Sequence, residues 1–130
     1  MRSHCLRPCR TTSWPRGAET PHRSAATVSI AISAVTYGEL LYGAAKSRDA
    51  GEVRRVLERF TEQVPVLPID ESAASQYGAL RAVLEQRGEV IGNNDLWIAA
   101  HALARKLVLV TNNEREFRRV PALKLQNWAR

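Results

Sequence analysis

Gly92-Asn93-Asn94-Asp95-Leu96-Trp97-Ile98-Ala99-Ala100-His101-Ala102-Leu103-Ala104, followed after two basic residues by Leu107-Val108-Leu109-Val110, is the stretch on which the fold turns. Its first part reads as a compact, alanine-rich helix over Leu96–Ala104. Asn94 or Asp95 serves as its cap, because a short side-chain oxygen satisfies the N–H groups left open at a helix start. Its second part is an unbroken apolar run, the pattern of a strand covered on both faces. A helix that delivers the chain into a doubly covered strand belongs to a parallel α/β sheet.

The same rhythm extends in both directions. Upstream, Val28 to Ser33 is a short β-branched run, and the spacing from Thr36 to Ala45 puts Leu40, Leu41 and Ala44 on one helical face. Val53, Val56, Leu57 and Phe60 recur at the spacing of an amphipathic helix between Glu52 and Gln63. Val64 to Ile69 is extended, and its two prolines assign it to a sheet edge, where a missing N–H donor does least harm. Asp70 caps a helix carrying Ala73, Tyr77, Leu80 and Leu84, which Gly88 stops. Downstream, Leu123-Lys124-Leu125 is expected to form a last edge strand.

The chain has 130 residues, which suits one domain, and its apolar residues from Val28 onward suffice for a core. Val28 to Val35 is interrupted by serines and is far too short to cross a bilayer, so a soluble, cytoplasmic protein is expected. No G-x-G-x-x-G or phosphate loop is present, which argues against a nucleotide-binding domain.

Residues 1–27 differ in character from the rest. They hold five Arg, three Pro, two His, both Cys and a single acid, Glu19, without periodicity, and such a stretch is expected to be disordered. They contribute +4 of the formal net charge of +6, so the basic balance belongs mostly to this leader. A nucleic-acid-binding arm or an acid-poor transit peptide would be Arg-rich in this way. The preferred reading is a leader foreign to the domain, from a misplaced start or a shifted reading frame. Cys5 and Cys9, with His4 and His22 nearby, lack the second ligand pair that a zinc site needs.

Three acids stand out by position. Glu39 and Glu116 each follow an expected strand within a few residues, and Asp95 opens the helix that feeds the strand at Leu107. Each alone reads as something ordinary. Thr36-x-x-Glu39 is a capping box, Asp95 suits a helix start, and Glu116 could be a solvated helix residue. Together they would lie beyond the carboxyl ends of parallel strands, where α/β sheets gather ligands. Carboxylates crowded at one rim repel one another and call for a hard cation, for which Mg2+ is the natural choice. His101, two turns into its helix, reads as a packed or surface residue. Trp97, Trp128, Tyr37, Tyr42 and Tyr77 read as packing residues. Arg115, Arg118 and Arg119 suit a solvated face or phosphate contacts equally.

Three ordered blocks, Ile32 to Ala44, Ile91 to Ala102 and Leu109 to Pro121, closely resemble the PIN-domain toxins of the VapC type. The likeness covers about Ile30 to Trp128. It implies a Rossmann-like three-layer α/β sandwich around a parallel sheet, and a Mg2+-dependent (or Mn2+-dependent) endoribonuclease acting as the toxin of a toxin–antitoxin pair. Residue by residue, Glu39, Asp95 and Glu116 match the family's second, third and fourth acids and would bind the metal. Thr111 and Asn112 match the polar pair beside them. RNA, a cognate antitoxin and a second copy of the chain are the implied partners. The chain departs from the pattern at its start, where such toxins carry a central strand ending in the first metal-binding Asp. Residues 1–27 hold no match to it, so the sheet is expected to lack its first strand. A catalytically inactive remnant that only binds an antitoxin is the alternative.

Overall fold

A computed structural model describes residues 4–8 and 30–128. The elements run β1 (His4–Pro8), β2 (Ile32–Ser33), α1 (Ala34–Lys46), α2 (Ala50–Gln63), β3 (Val66–Leu67), α3 (Glu71–Arg87), α4 (Asn93–Arg105), β4 (Leu107–Thr111), α5 (Glu114–Phe117) and β5 (Leu125–Gln126). The α/β alternation expected from Val28 onward is present.

β1 corrects the expectation that the leader contains no strand. It pairs antiparallel with β4 in the register His4↔Thr111, Leu6↔Leu109, Pro8↔Leu107. On its other side, Leu6 and Ala31 exchange two backbone hydrogen bonds of 2.7 Å, also antiparallel. β4 pairs in parallel with β5, and β2 in parallel with β3. The strands therefore stand in the row β5, β4, β1, β2, β3, with β1 in the middle and reversed relative to its neighbours. The sheet is mixed rather than parallel, and its central position is filled. The physical reason is the demand of the neighbouring backbones. Leu107–Thr111 is buried at every residue, and buried N–H and C=O groups must find partners. The leader segment supplies them, and Leu6, 1% exposed, adds a side chain to the core. Cys9 and His22 lie outside the described residues.

The core lies around β4. Leu6, Ala31, Leu67, Leu80, Leu84, Ile91, Ile98, Ala99, Leu109 and Phe117 form one continuous buried cluster. α3 and α4 pack closely against each other and carry most of the helical contribution to it. Asp70 caps α3 by accepting from the Ala73 N–H at 3.0 Å, and Gly88 ends it in the left-handed conformation at φ 67°, both as the sequence indicates. β3 lies at the sheet edge, where its flanking prolines are harmless.

Two helix starts differ from expectation. α1 begins three residues earlier than the Thr36–Glu39 box requires, because the Ser33 hydroxyl accepts from the Val35 N–H at 3.2 Å and takes the cap. Thr36 is thereby drawn inside the helix and buried. α4 is capped by Gly92 through its backbone alone, which moves Asp95 into the first turn. α2 carries the expected amphipathic pattern yet buries none of its residues fully, and Val56 is half exposed.

If β1 is integral to the sheet, Leu6→Ala should lower stability by about 2–5 kcal/mol, the usual effect of emptying a buried leucine site. Urea denaturation measures it, and a leader that takes no part in folding would leave the midpoint where it was.

Candidate functional site

The reversed direction of β1 brings its first residue, His4, to the carboxyl ends of β2 and β4, the rim at which α1 and α5 begin. The His4 ring is buried there and bridges two of the residues singled out above. Its Nδ1 lies 3.0 Å from Thr111 Oγ1, and its Nε2 lies 3.6 Å from Asp95 Oδ1. Phe117 packs edge-on against it, with ring centroids 5.3 Å apart. Asp95 is 4% exposed and sits in the first turn of α4, where the open N–H groups and the helix dipole favour negative charge. Thr111 Oγ1 also accepts from the Asn113 N–H at 3.0 Å, which ties the end of β4 to the start of α5.

The other candidates lie on α1, on α5 and after β4. Glu39, half-buried on α1, lines an open cleft together with Asn94, the residue before Asp95. Glu116, half-buried on α5, precedes Phe117. Asn112 is exposed. Among the described residues, however, no three His, Cys, Asp or Glu side chains stand close enough together to hold a metal ion. The donor set as placed, an imidazole nitrogen against one carboxylate, does not fit a hard divalent cation.

The remaining features are structural. His101 is buried, and its Nδ1 lies 2.9 Å from the Ser33 hydroxyl, so it steadies the cap of α1. Burial is the main cause that holds its pKa down to about 4, with the Arg105 guanidinium adding to it and Asp70 partly opposing it. Arg105 itself pairs with Asp70 at 3.0 Å. The Ala73 N–H, followed by Arg105, keeps the Asp70 carboxyl below its usual range. Burial pushes the Cys5 thiol up, which makes it a poor nucleophile. Trp97 stacks on Tyr77 at 3.9 Å, and Tyr77 hydrogen-bonds Asn93, so this indole packs within the fold. Trp128 is half exposed. Arg118 pairs with Glu114, Arg119 donates to the Val90 carbonyl, and Arg115 faces solvent.

The PIN domain family model matches residues 17–123. The chain is a PIN-domain protein of the VapC family. It is 44% identical over 100 residues to "Ribonuclease VapC2" of Rickettsia felis, covering 77% of this chain and 75% of that one. It is likewise 44% identical over 98 residues to "tRNA(fMet)-specific endonuclease VapC" of Shigella flexneri, covering 75% and 74%. Among solved structures, VapBC-1 from nontypeable Haemophilus influenzae superposes with a TM-score of 0.75 at 42% identity, over 77% of this chain and 75% of that chain. VapBC2 from Rickettsia felis, bound to a DNA fragment from its promoter, gives 0.73 at 44% identity, over 75% and 74%. The PIN-like α/β fold inferred from the three sequence blocks is therefore the fold of this VapC-type chain. No helix among its described residues is long and apolar enough to cross a membrane.

Sequence reasoning weighed His4 only as a zinc donor beside Cys5 and Cys9 and missed its place at this rim. Nothing in His4-Cys5-Leu6-Arg7-Pro8 marks it, since five residues are too few to show a period and the surrounding composition reads as disorder.

The pKa of His101 has a consequence for stability. The unfolded chain takes up a proton near pH 6.5, whereas the folded chain resists it down to about 4. Stability is therefore complete above 6.5 and falls as the pH drops through that window, by up to about 3 kcal/mol at 1.4 kcal/mol per unit. Urea unfolding at pH 7 and pH 4.5 should show this loss for the wild type and a smaller one for His101→Gln. Equal losses would remove His101 as the cause.

Proposed function

We propose that this chain is an endoribonuclease, the toxin of a toxin–antitoxin pair, acting in the cytoplasm. The observation that carries the proposal is the 44% identity to proteins named as ribonucleases over three quarters of the chain. The placement of Asp95 supports it: a buried carboxylate at the positive end of α4, next to the rim where α1 and α5 present Glu39 and Glu116. Asp95 is the principal catalytic candidate, with Glu39 and Glu116 in support and Thr111 and Asn112 as the polar residues beside them. Mg2+ or Mn2+ is the cofactor that the family likeness implies, and Asp95, Glu39 and Glu116 are the side chains that would serve it. Arg115, exposed beside Glu116, is suited to meet an RNA phosphate.

An antitoxin is the proposed protein partner, since the similar solved structures are of VapBC proteins and one of them is described as a member of the VapBC family of toxin–antitoxin systems. The half-exposed Val56 of α2 and Tyr42 of α1, 65% exposed, give an antitoxin or a second copy of the chain apolar surface to cover. The extent of the family match favours an active nuclease over a remnant that merely binds antitoxin.

Purified chain freed of antitoxin should cleave structured RNA in a high concentration of Mg2+. Asp95→Asn should reduce the rate on the order of a hundredfold, equivalent to about 3 kcal/mol of barrier. Glu39→Gln and Glu116→Gln should reduce it less. Undiminished cleavage by Asp95→Asn would take Asp95 out of the site, and a wild type that leaves RNA intact would favour the remnant.

A further inference from the structure

The residues around Asp95 do not match what a hard cation requires, and the mismatch has a defined source. Asp95 is reached by β1, an antiparallel strand wedged between β4 and the chain at Ala31, whose first side chain is an imidazole rather than a carboxylate. The ring has little freedom to turn away. Nδ1 is engaged by Thr111 Oγ1 at 3.0 Å, Phe117 packs on its edge, and the register His4↔Thr111 fixes the backbone beneath it. Its remaining nitrogen is thereby aimed at Asp95 Oδ1, 3.6 Å away, with the two side chains 1% and 5% exposed. A divalent ion at Asp95 would have to share that side of the carboxylate with a nitrogen donor that adds no negative charge, whereas Mg2+ and Mn2+ favour oxygen ligands.

We propose that β1 is a built-in restraint on Asp95: through His4, the segment His4–Pro8 engages the carboxylate and sets the site's affinity for divalent cations low. The proposal deepens the nuclease reading and rests on it for the importance of Asp95, but its test reads cation binding, not RNA cleavage.

The test is calorimetric titration of the full chain with Mn2+ at fixed pH, for the wild type, Asp95→Asn, His4→Ala, His4→Asp and the double variant His4→Asp/Asp95→Asn. In the wild type, Asp95→Asn should weaken Mn2+ binding by about threefold or less, because the His4 ring beside Asp95 Oδ1 already offsets part of that carboxylate's pull on the ion. His4→Asp sets a second carboxylate beside Asp95 and should tighten Mn2+ binding by about tenfold or more, in line with the effect of substitutions around metal ligands. The double variant should return to the wild-type value. Should His4→Asp fail to fold by circular dichroism, the comparison of wild type with Asp95→Asn decides alone. A tenfold loss in Asp95→Asn, a His4→Asp chain no tighter than wild type, or a loss of Mn2+ binding in His4→Ala, which would make the imidazole itself a ligand, overturns the restraint. RNA cleavage by the same variants judges the parent proposal separately. A His4→Asp chain that binds Mn2+ tightly yet leaves RNA intact upholds the restraint and retires the nuclease.

Discussion

The antiparallel ladder between His4–Pro8 and Leu107–Thr111 is the constraint on which the rest of this structure depends. β4 is buried along its whole length, and its pairing with β5 covers only Leu109 and Val110. Without a partner on the other side, its polar backbone groups would be buried unpaired, each at about the free energy of a lost hydrogen bond. β1 provides that partner and, through Leu6 and Ala31, joins the β4–β5 pair to the β2–β3 pair. Removing β1 would open two strand edges in the middle of the molecule.

The same ladder determines the chemistry of the rim. A strand inserted parallel to its neighbours would send its last residue to the carboxyl ends of β2 and β4. This strand runs the other way and sends its first, His4. Whether Asp95 faces an acid, a base or solvent is therefore decided by the direction of a five-residue segment, and the electrostatics of the site follow from backbone pairing. The polar groups at that rim are coupled in series: Asn113 to Thr111, Thr111 to His4, and His4 to Asp95.

Further along α4, His101 plays a different part. Its contact with the Ser33 hydroxyl links α4 to the start of α1, so the helix that presents Asp95 and the helix that presents Glu39 are anchored to one another through a buried hydrogen bond. The ion pair between Arg105 and Asp70 adds a second tie, from the end of α4 to the start of α3. Exposed as Asp70 is, that pair contributes little beyond orientation.

What was legible in the sequence is what short-range physics controls. The 3.6-residue spacing of Val53, Val56, Leu57 and Phe60 marks a helix, Asp70 and Gly88 mark the ends of another, and Leu107 to Val110 can only be comfortable in a covered strand. Those signals need no knowledge of distant residues, and the ordered blocks around Glu39, Asp95 and Glu116 carry the family likeness on the same terms. Helix starts were less secure, because Ser33 and Thr36 both suit the cap of α1, and the Ser33 hydroxyl that takes it is also in contact with His101, 68 positions away. β1 could not be read at all. His4-Cys5-Leu6-Arg7-Pro8 has no pattern of its own and becomes a strand because β4 and Ala31 have backbone groups to satisfy. The sequence by itself determined the elements and the acids they carry; only the tertiary structure decided which strand fills the centre of the sheet and which side chain meets Asp95, because strand pairing is specified by the partner's unmet hydrogen bonds rather than by local preference.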